Sequence, residues 1–293
     1  MELYLPAQQP FSLQAVIRSH GWIRLAPFRY QDQANWFNYV IRLDSGSVVD
    51  LHIQDAQDGV QLRVDNSLSE TECDSITRAA SWMLGLDQDF STFYKIAQTE
   101  PKLEHLVTAA RGRILRSPTL FEDIVKTILT TNTLWAGTIR MAETLVAIYG
   151  DPIPDDPSRR AFPTPERLAD LDESALRSSA RLGYRAPYVL ELSRQVASGN
   201  LDLESLKNSD LPTEQLRARL MDIKGVGSYA AANLLMILGR YDNIPVDSWA
   251  LKMVSNEWFS GEPIGKAEVE SAFEHWGEWK GLAYWFWDWS TKD

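Results

Sequence analysis

The pattern of apolar positions changes character within the first third of the chain. Before residue 65, short segments rich in aromatic and β-branched residues often alternate with polar ones, which indicates an antiparallel sheet with one buried face. Helical spacing follows over residues 69–84, where Ser69 and Glu72 have the spacing of a capping box. The predicted strands are residues 11–17, 22–30, 36–43, 48–53 and 60–64.

From residue 90 onward, the apolar spacing is that of helices, and no convincing strand is predicted. Polar turns such as residues 151–157 separate the helices. The sequence therefore predicts an α+β fold, with an N-terminal antiparallel β-sheet domain closed by a helix in residues 1–88 and a mostly α-helical domain in residues 89–293. The predicted helices of the second domain are residues 90–97, 103–110, 120–129, 136–149, 165–171, 173–181, 186–197 and 201–206.

Composition is typical of a soluble globular protein. The 293 residues are 44% hydrophobic and 24% charged, which is an ordinary balance. No apolar run approaches the ~20 residues that span a bilayer, so no membrane association is predicted. The first residues lack the basic start and long apolar core of a signal peptide, and we expect a cytoplasmic location.

Cysteine and histidine usage excludes several kinds of site. The single cysteine, Cys73, rules out an intramolecular disulfide and a four-cysteine iron–sulfur cluster. The histidines show no metal-ligand spacing, so we predict no zinc site and no other bound metal. They are His20, His52, His105 and His275.

The net charge of −11 argues against broad, non-specific binding to nucleic acid, because phosphate neutralisation requires Lys and Arg. A small basic patch is nevertheless enough for a protein that grips a few phosphates. The local candidates are Arg111, Arg113, Arg116, Arg181, Arg185 and Lys224.

Residues 220–250 hold the most informative pattern of the chain. Gly225 and Gly227 lie between a short helical pattern and a longer one, as in a hairpin between two helices. The amide groups at the start of the second helix would then be available to an anion such as a DNA phosphate. The sequence Pro245-Val246-Asp247 follows this helix and places one carboxylate near the hairpin. By themselves, the glycines could form a plain turn and Asp247 could simply cap the next helix.

The combination of Ile-Lys-Gly-Val-Gly, an alanine-rich helix and Pro-Val-Asp resembles the helix-hairpin-helix (HhH-GPD) DNA glycosylases. The resemblance implies that the hairpin grips the DNA backbone and that Asp247 is the catalytic residue. It implies double-stranded DNA containing damaged bases as the partner, and we expect a monomer that is nucleoid-associated when acting. The resemblance allows a monovalent cation on the hairpin carbonyls, although no residue requires one; no other cofactor is predicted. The implied DNA-binding residues are Lys224, Gly225, Val226, Gly227 and Ser228.

Two further segments carry the resemblance. Residues 182–189, Leu-Gly-Tyr-Arg-Ala-Pro-Tyr-Val, look like a segment of the 8-oxoguanine glycosylases. Residues 121–133 form a predicted helix that ends in a polar cluster, where the family places the residue that fills the gap left by an extruded base. Asn132 matches that plug position, and Leu134 and Trp135 are candidate wedges beside it.

The candidate base pocket is aromatic. The bifunctional members of the family have a Schiff-base lysine two residues after the second hairpin glycine, and this chain has Tyr229 there, so strand cleavage should be absent. Tyr229 and Trp279 match pocket aromatics of the alkylpurine enzymes, and Trp249 could form a third wall. Most other rings of the aromatic stretch 276–289 are predicted to lie in the core.

The sequence thus predicts a monofunctional DNA glycosylase of base excision repair that acts on alkylated purines of the 3-methyladenine type. Three alternatives stay open. The first is a glycosylase for oxidised or mismatched bases. The second is a DNA-lesion-binding protein without catalysis, in which Asp247 only caps a helix. The third is a protein-interaction domain that has lost DNA contact.

Overall fold

The computed structural model describes residues 1–31 and 35–287. Backbone contacts divide the chain into two compact units, each assembled from two separate stretches of sequence. The first unit contains Met1–Asp89 and Arg113–Lys207, and the second contains Phe90–Gly112 and the chain from Asn208 onward. The domain boundary between residues 88 and 89 stays a prediction.

The first unit is built around a five-stranded antiparallel sheet in which the first strand of the chain lies at one edge, followed across the sheet by the fifth, fourth, third and second. Alternate residues of the central strands, such as Phe37 and Tyr39, are buried, which is the pattern of a sheet with one covered face. The sheet and the helices that follow confirm the predicted fold class. The strands are β1 (Glu2–Pro6), β2 (Phe28–Tyr30), β3 (Trp36–Arg42), β4 (Val48–Ala56) and β5 (Gly59–Arg63).

The start of the sheet differs from the prediction. The strand predicted at residues 11–17 is wrong, because Leu13–Ile17 form a short α-helix whose N-terminus is capped by Ser12. Only the end of the strand predicted at residues 22–30 exists, since Gly21–Arg24 form a 3-10 turn. The strand Glu2–Pro6 was not predicted and forms an edge of the sheet by pairing with β5. A short apolar run fits either element, and only the surrounding packing decides between them.

Helices dominate the rest of the chain, and the capping box of Ser69 and Glu72 is confirmed. Within the described residues, no helix is long and apolar enough to cross a membrane. The α-helices are α1 (Leu13–Ile17), α2 (Glu70–Leu84), α3 (Ser91–Ala97), α4 (His105–Thr108), α5 (Leu120–Thr130), α6 (Trp135–Tyr149), α7 (Pro165–Ala169), α8 (Ala186–Ala197), α9 (Thr213–Met221), α10 (Ser228–Ile237), α11 (Ser248–Trp258), α12 (Lys266–Ala272) and α13 (Lys280–Phe286).

The helical region also departs from the prediction. A two-stranded hairpin, β6 (Pro152–Ile153) and β7 (Asp156–Arg160), occupies the segment for which only a turn was predicted. Its residues are mostly polar, so no apolar alternation marks it in the sequence. Arg159 of β7 forms a two-pronged ion pair with Asp50 of β4, and this contact fixes the hairpin against the sheet. Residues 175–179 form a single π-turn and residues 204–206 a 3-10 turn, where longer helices were predicted.

Helix α5 carries charged side chains into the core of the first unit. Glu122, Asp123 and Lys126 are each at most 2% exposed. Lys126 Nζ lies 2.6 Å from Glu122 Oε1 and 4.6 Å from the centre of the Phe28 ring, and the Tyr39 hydroxyl donates to Glu122 at 2.6 Å. Buried charges persist only when they are paired and hydrogen-bonded, so these contacts explain how the polar face of α5 tolerates burial.

Two titratable groups near this ion pair have displaced pKa values. Asp123 Oδ1 accepts hydrogen bonds from Trp22 Nε1 at 2.7 Å and from the Ser117 amide at 2.9 Å. Burial raises the pKa of Asp123 to about 6. The ring of His20 packs 4.6 Å from that of Trp22. Burial, assisted by the charge of Lys126, lowers the pKa of His20 to about 4. In the first unit, the Asp123 carboxyl group is therefore harder to ionise, and the His20 ring harder to protonate, than the same groups in water.

Candidate functional site

The predicted hairpin lies in the second unit, between the end of α9 at Met221 and the start of α10 at Ser228. Gly225 has a φ of +91°, a conformation that glycine adopts without strain. Gly227 has a φ of −88°, and a Cβ atom placed on it would have no neighbour within 4 Å. The two glycines therefore have different roles. Gly225 adopts the backbone conformation of the turn, and Gly227 leaves the outer surface of the hairpin free of a side chain.

The first turn of α10 is suited to bind an anion. Gly227 occupies the N-cap position, so no side chain caps the amide groups of the following residues. Uncapped amides at a helix N-terminus attract phosphate through their dipoles. Lys224 and Ser228 are exposed at the hairpin, whereas the side chain of Val226 is buried. The predicted residues are thus brought together, with Val226 able to offer only its backbone to a ligand.

Arg217 is a hairpin residue that the sequence did not reveal. It lies on α9, and its guanidinium donates to Ser228 Oγ at 2.7 Å. This contact adds a positive charge beside the uncapped amides, which strengthens the site for an anion. The sequence offers no signal for it, because Arg219 on the same helix has the same formal charge. Only the packing of α9 against α10 selects Arg217.

Asp247 is the N-cap residue of α11. Its Oδ1 accepts a hydrogen bond from the Ala250 amide at 2.8 Å. Among the described residues, Oδ2 has no hydrogen-bond partner, and the side chain is half-buried. The cap interpretation and the catalytic interpretation are therefore compatible, since one oxygen holds the carboxylate in place while the other stays available.

Three aromatic side chains share the surroundings of Asp247. Tyr229 is 44% exposed and Trp249 is 37% exposed, whereas Tyr284 is only 4% exposed. The Trp249 and Tyr284 rings meet edge to face with their centres 5.9 Å apart. Burial and then the negative charge of Asp247 raise the pKa of Tyr229, and the same two causes, with Tyr229 as a third, raise the pKa of Tyr284. Both phenols therefore stay protonated near the carboxylate.

Tyr284 was not predicted as a pocket residue. It belongs to the C-terminal aromatic stretch whose rings were predicted to fill the core, and it is indeed buried. Nothing in the sequence separates it from its aromatic neighbours. Its position near Asp247 depends on how α13 packs in the second unit. The predicted stretch extends to Trp289, which lies outside the described residues.

Trp279 packs against rings other than Tyr229 and Tyr284. Its ring stacks on Tyr241 at 5.7 Å with an interplanar angle of 21°, and it also packs against Phe93 at 5.6 Å. Its Nε1 is buried and has no hydrogen-bond partner among the described residues. The structure therefore groups Trp249 with Tyr284, and places Trp279 against Tyr241 instead.

A close backbone approach holds the loop that leads to Asp247. The Gly281 amide at the start of α13 donates to the Tyr241 carbonyl at 2.6 Å. A Cβ atom on Gly281 would come within 2.2 Å of the Asn243 carbonyl oxygen, a distance that real Cβ atoms do not reach. Glycine at this position lets α13 pack directly on residues 241–243, and this contact helps to fix the carboxylate four residues further on.

The candidate plug residues lie in the first unit, at the turn between α5 and α6. Asn132 is exposed and has a φ of +46°, a conformation that asparagine tolerates better than most residues. Leu134 is 84% exposed, which is unusual for a leucine and suits a wedge. Trp135 is half-buried, with its ring against Gly21, where a Cβ atom would come within 2.3 Å of it. Of the two predicted wedges, Leu134 is the one that is free to insert.

Residues of the segment 182–189 hold the plug turn in place. The Tyr184 hydroxyl and the Arg185 guanidinium both donate to the carbonyl oxygen of Thr131. The guanidinium also lies 4.5 Å from the centre of the Tyr184 ring. A carbonyl bound by two donors is well fixed, so Asn132 is presented on a rigid turn. The sequence pattern of this segment does not show that it contacts the plug turn; only the folded structure brings the two together.

A family model matches the part of the chain that contains the hairpin and Asp247. The model of the HhH-GPD superfamily base excision DNA repair protein matches residues 125–278. The chain belongs to this superfamily. The match contains the plug turn, the hairpin, Asp247 and the loop between them, so the resemblance found in the sequence is confirmed at the level of the HhH-GPD family.

Relatives within the HhH-GPD family are distant. DNA-3-methyladenine glycosylase of Bacillus subtilis is 27% identical over 205 residues, which cover 68% of this chain and 66% of the relative. The alignment thus spans slightly less than two thirds of that relative's length. Among solved structures, the 3-methyladenine DNA-glycosylase from Archaeoglobus fulgidus has a TM-score of 0.76 at 21% identity and covers 99% of this chain and 98% of its own.

A second solved structure of the HhH-GPD fold is about as similar. The Clostridium acetobutylicum 8-oxoguanine glycosylase/lyase, in complex with double-stranded DNA containing cytosine opposite 8-oxoguanine, has a TM-score of 0.73 at 20% identity and covers all of this chain and 98% of its own. At these identities the solved structures establish the fold alone. They do not distinguish an alkylpurine enzyme from an 8-oxoguanine enzyme.

Among the described residues, no group of three or more His, Cys, Asp or Glu side chains could hold a metal ion. The backbone carbonyls of Leu220 and Ile223 at the hairpin accept hydrogen bonds from backbone amides.

Proposed function

We propose that the protein is a monofunctional DNA glycosylase of base excision repair, which hydrolyses the N-glycosidic bond of alkylated purines extruded from double-stranded DNA. The observation that carries the proposal is Asp247, whose Oδ1 is fixed by the Ala250 amide while Oδ2 has no partner among the described residues. The electron-rich rings of Tyr229, Trp249 and Tyr284 lie in the same neighbourhood.

The arrangement suits a reaction in which positive charge develops on the sugar. As the bond from C1′ to the base breaks, its electron pair leaves with the base and the sugar becomes cationic. A fixed carboxylate stabilises that charge in the transition state, and it can also orient the water that attacks C1′. Because Oδ1 is already bound to a backbone amide, Oδ2 of Asp247 is the oxygen that would face the sugar.

The hairpin and the plug supply the other two requirements. A base can reach such a site only after it has left the helical stack, and the gap must then be filled. Asn132 and Leu134 are suited to fill it, while residues 224–228 and Arg217 would hold the backbone phosphates. Phosphate contacts carry little sequence information, which fits an enzyme that must act wherever damage occurs.

The absence of a lysine at position 229 leads to the first prediction. Tyr229 has a raised pKa, caused by burial and by the charge of Asp247, so its hydroxyl is protonated and cannot replace an amine as a nucleophile. We expect no covalent protein–DNA adduct after borohydride reduction with any lesion, and EDTA should not inhibit. A trapped adduct in the wild-type protein would refute the monofunctional assignment.

The substitution Tyr229→Lys serves as a positive control for this experiment. If position 229 faces the sugar, an amine placed there should form an adduct that borohydride can trap. If the variant folds, releases bases and still forms no adduct, then position 229 does not lie where the proposal puts it.

Substrate choice follows from the rings around Asp247. Alkylated purines such as 3-methyladenine carry a formal positive charge, and a cation over an aromatic face gains on the order of 0.5–2 kcal/mol. We expect release of alkylpurines from methylated DNA, with lower activity for Tyr229→Ala. Trp249→Ala and Trp279→Ala test the other two predicted walls, and because Trp279 stacks on Tyr241, its loss should also lower stability.

A glycosylase for 8-oxoguanine is the second candidate. It is favoured by the segment 182–189, whose Tyr184 and Arg185 hold the turn that carries Asn132. A panel of duplexes, each with one lesion and assayed for abasic sites, separates the two candidates. Efficient release of 8-oxoguanine without release of alkylpurines would reject the argument from the aromatic pocket.

The hairpin leads to a further prediction about DNA binding. Gly227→Ala introduces no clash within the protein, so we expect normal folding and weaker binding to damaged and undamaged duplexes alike. Gly225→Ala should also weaken binding, but it forces alanine to a φ of +91° and should lower the melting temperature as well. Titration of labelled duplexes and thermal melts measure the two effects. Altered lesion preference with unchanged general affinity would contradict a role in gripping the backbone.

A further inference from the structure

A cleft of about 870 Å³ opens on the first unit, formed by residues of β2, β3, α6 and β7 and the turn before β2. Neither the hairpin, Asp247 nor the plug turn contributes to its lining. Its volume falls in the range of sites for small organic ligands. The proposed glycosylase activity therefore gives this cleft no role.

Positive charge is concentrated in this cleft, in contrast with the acidic chain as a whole. Arg24, Arg29 and Arg159 line it, and Glu143 is the carboxylate among its described lining residues. Arg24 and Arg29 are exposed and make no ion pair with the described residues. The charge of Arg29 also acts on Arg159, since, after burial, it is the second cause of the lowered pKa of Arg159. Like charges held this close favour the binding of an anion.

A chain of hydrogen bonds fixes one side of the cleft. Both terminal nitrogens of Arg159 bind the carboxylate of Asp50. Asp50 also accepts from Asn38 Nδ2 at 2.9 Å, and Asn38 Oδ1 bonds to His52 Nδ1 at 3.2 Å. The His52 ring in turn packs against the Trp36 ring at 5.1 Å. Both oxygens of Asp50 are thus engaged by Arg159 and Asn38.

The remaining lining mixes polar side chains, such as Gln31 and Asn38, with apolar ones. Phe28 and Trp36 present aromatic surface, and Ile23 and Ile139 add aliphatic surface. The Tyr30 hydroxyl is buried and has no hydrogen-bond partner among the described residues. Since this oxygen has no accessible surface, the Tyr30 side chain contributes its ring to the lining and its hydroxyl is not counted as a ligand contact. The cleft therefore combines cationic groups, aromatic surface and polar side chains that can form hydrogen bonds.

We propose that this cleft binds a nucleoside phosphate, with Arg24 and Arg29 at the phosphate and Trp36 against the base. Phosphate is the anion that guanidinium groups bind best, and aromatic side chains stack on bases of any sequence. Glu143, which lines the same cleft, would accept hydrogen bonds from sugar hydroxyls. The ligand is either a free nucleotide or a nucleotide of an unpaired DNA strand, and both present the same chemistry.

Calorimetric titration of the whole protein at low salt tests the proposal. The ligands are AMP, adenosine, inorganic phosphate and a single-stranded hexamer of deoxyadenylate. We expect AMP or the hexamer to bind more tightly than adenosine and than phosphate. Arg29→Gln should weaken that binding by about tenfold, because a charge-assisted hydrogen bond is lost. Trp36→Leu should weaken the binding of AMP but not that of phosphate.

Arg78→Gln is the matched control, because Arg78 is exposed on α2 and does not line the cleft. Binding by AMP identifies a free nucleotide as the ligand, whereas binding by the hexamer alone identifies a strand. The proposal is overturned if neither binds, if phosphate binds as tightly as AMP, or if Arg29→Gln binds like wild type. Base release from methylated duplex should be unchanged in Arg29→Gln, and its loss would show that the cleft is not a separate site.

Discussion

Asp247→Asn should lower the rate of base release at least a hundredfold while leaving stability close to that of the wild type. The removal of a preorganised electrostatic group typically costs about 10²–10³ in rate. Asparagine is as good an N-cap as aspartate, so the hydrogen bond from the Ala250 amide is retained. Rates on a methylated duplex and thermal melts of the same samples measure both parts of this prediction.

Two further substitutions separate catalysis from capping. Asp247→Ser keeps a cap without a carboxylate and should be as inactive as Asp247→Asn. Asp247→Ala removes both functions and should lose about 1 kcal/mol of stability in addition. Thr164→Ala removes the N-cap of α7, whose side chain accepts from the Arg167 amide at 3.2 Å, and should show the same loss of stability with normal activity.

The outcome also decides between the enzyme and a DNA-binding protein without catalysis. If a folded Asp247→Asn protein keeps most of its activity, then Asp247 is only a cap and the proposed mechanism is wrong. If the wild type binds lesion-containing duplex and releases no base from any member of the panel, the non-catalytic alternative is correct.

The second large effect concerns stability and its dependence on pH. The pKa of Asp123 rises to about 6 in the folded protein, because the carboxyl group is buried. Between about pH 4 and pH 6, the folded state therefore holds a proton that the unfolded chain has released, and stability falls as pH rises. This rise in the pKa of Asp123 corresponds to about 3 kcal/mol in the free energy of unfolding, which is large compared with the stability of a typical domain.

His20 acts in the opposite direction over nearly the same window. Its pKa falls to about 4 in the folded protein, so below pH 6.5 the unfolded chain binds a proton that the folded state refuses. The contribution of His20 to stability falls as pH decreases, by an amount similar to that of Asp123. The two contributions offset each other, and the wild type should be nearly independent of pH from 4 to 6.

Single substitutions should separate the opposite effects of Asp123 and His20 on the pH dependence of stability. Asp123→Asn should remove the contribution of Asp123. Because only the contribution of His20 then remains, the stability of this variant should rise with pH across this window. It should also be at least as stable as the wild type at pH 7, because the wild type must then keep a buried carboxylate ionised, which its raised pKa shows to be unfavourable. His20→Gln should leave a protein whose stability falls with pH. Urea unfolding at a series of pH values gives these slopes. Identical pH profiles for the wild type and Asp123→Asn would contradict the buried-acid account.

The acidic balance of the chain does not conflict with a hairpin that binds phosphate. The net charge is −11, but Arg217 and Lys224 lie at the hairpin, with the uncapped amides of α10. Since exposed charges are screened beyond about 10 Å, the local arrangement matters more for binding than the sum over the chain.

The sequence determined the fold class and most of the helices, because their signals are local. Apolar periodicity, the Ser69 capping box and the turn residues act within a few positions of each other. The hairpin with Asp247 was also visible in the sequence, since its glycines and carboxylate have a fixed spacing. For the same reason, the sequence could not separate the strand predicted at residues 11–17 from the helix Leu13–Ile17, as a short apolar run fits both.

The tertiary structure decided the features that depend on contacts between distant residues. Packing of α9 against α10 selected Arg217, and the packing of α13 buried Tyr284 near Asp247 and left Trp279 against Tyr241. The polar hairpin of β6 and β7 exists because Arg159 pairs with Asp50, more than a hundred residues away. Such contacts leave no trace in local periodicity, because their energy comes from partners that only the folded chain brings together.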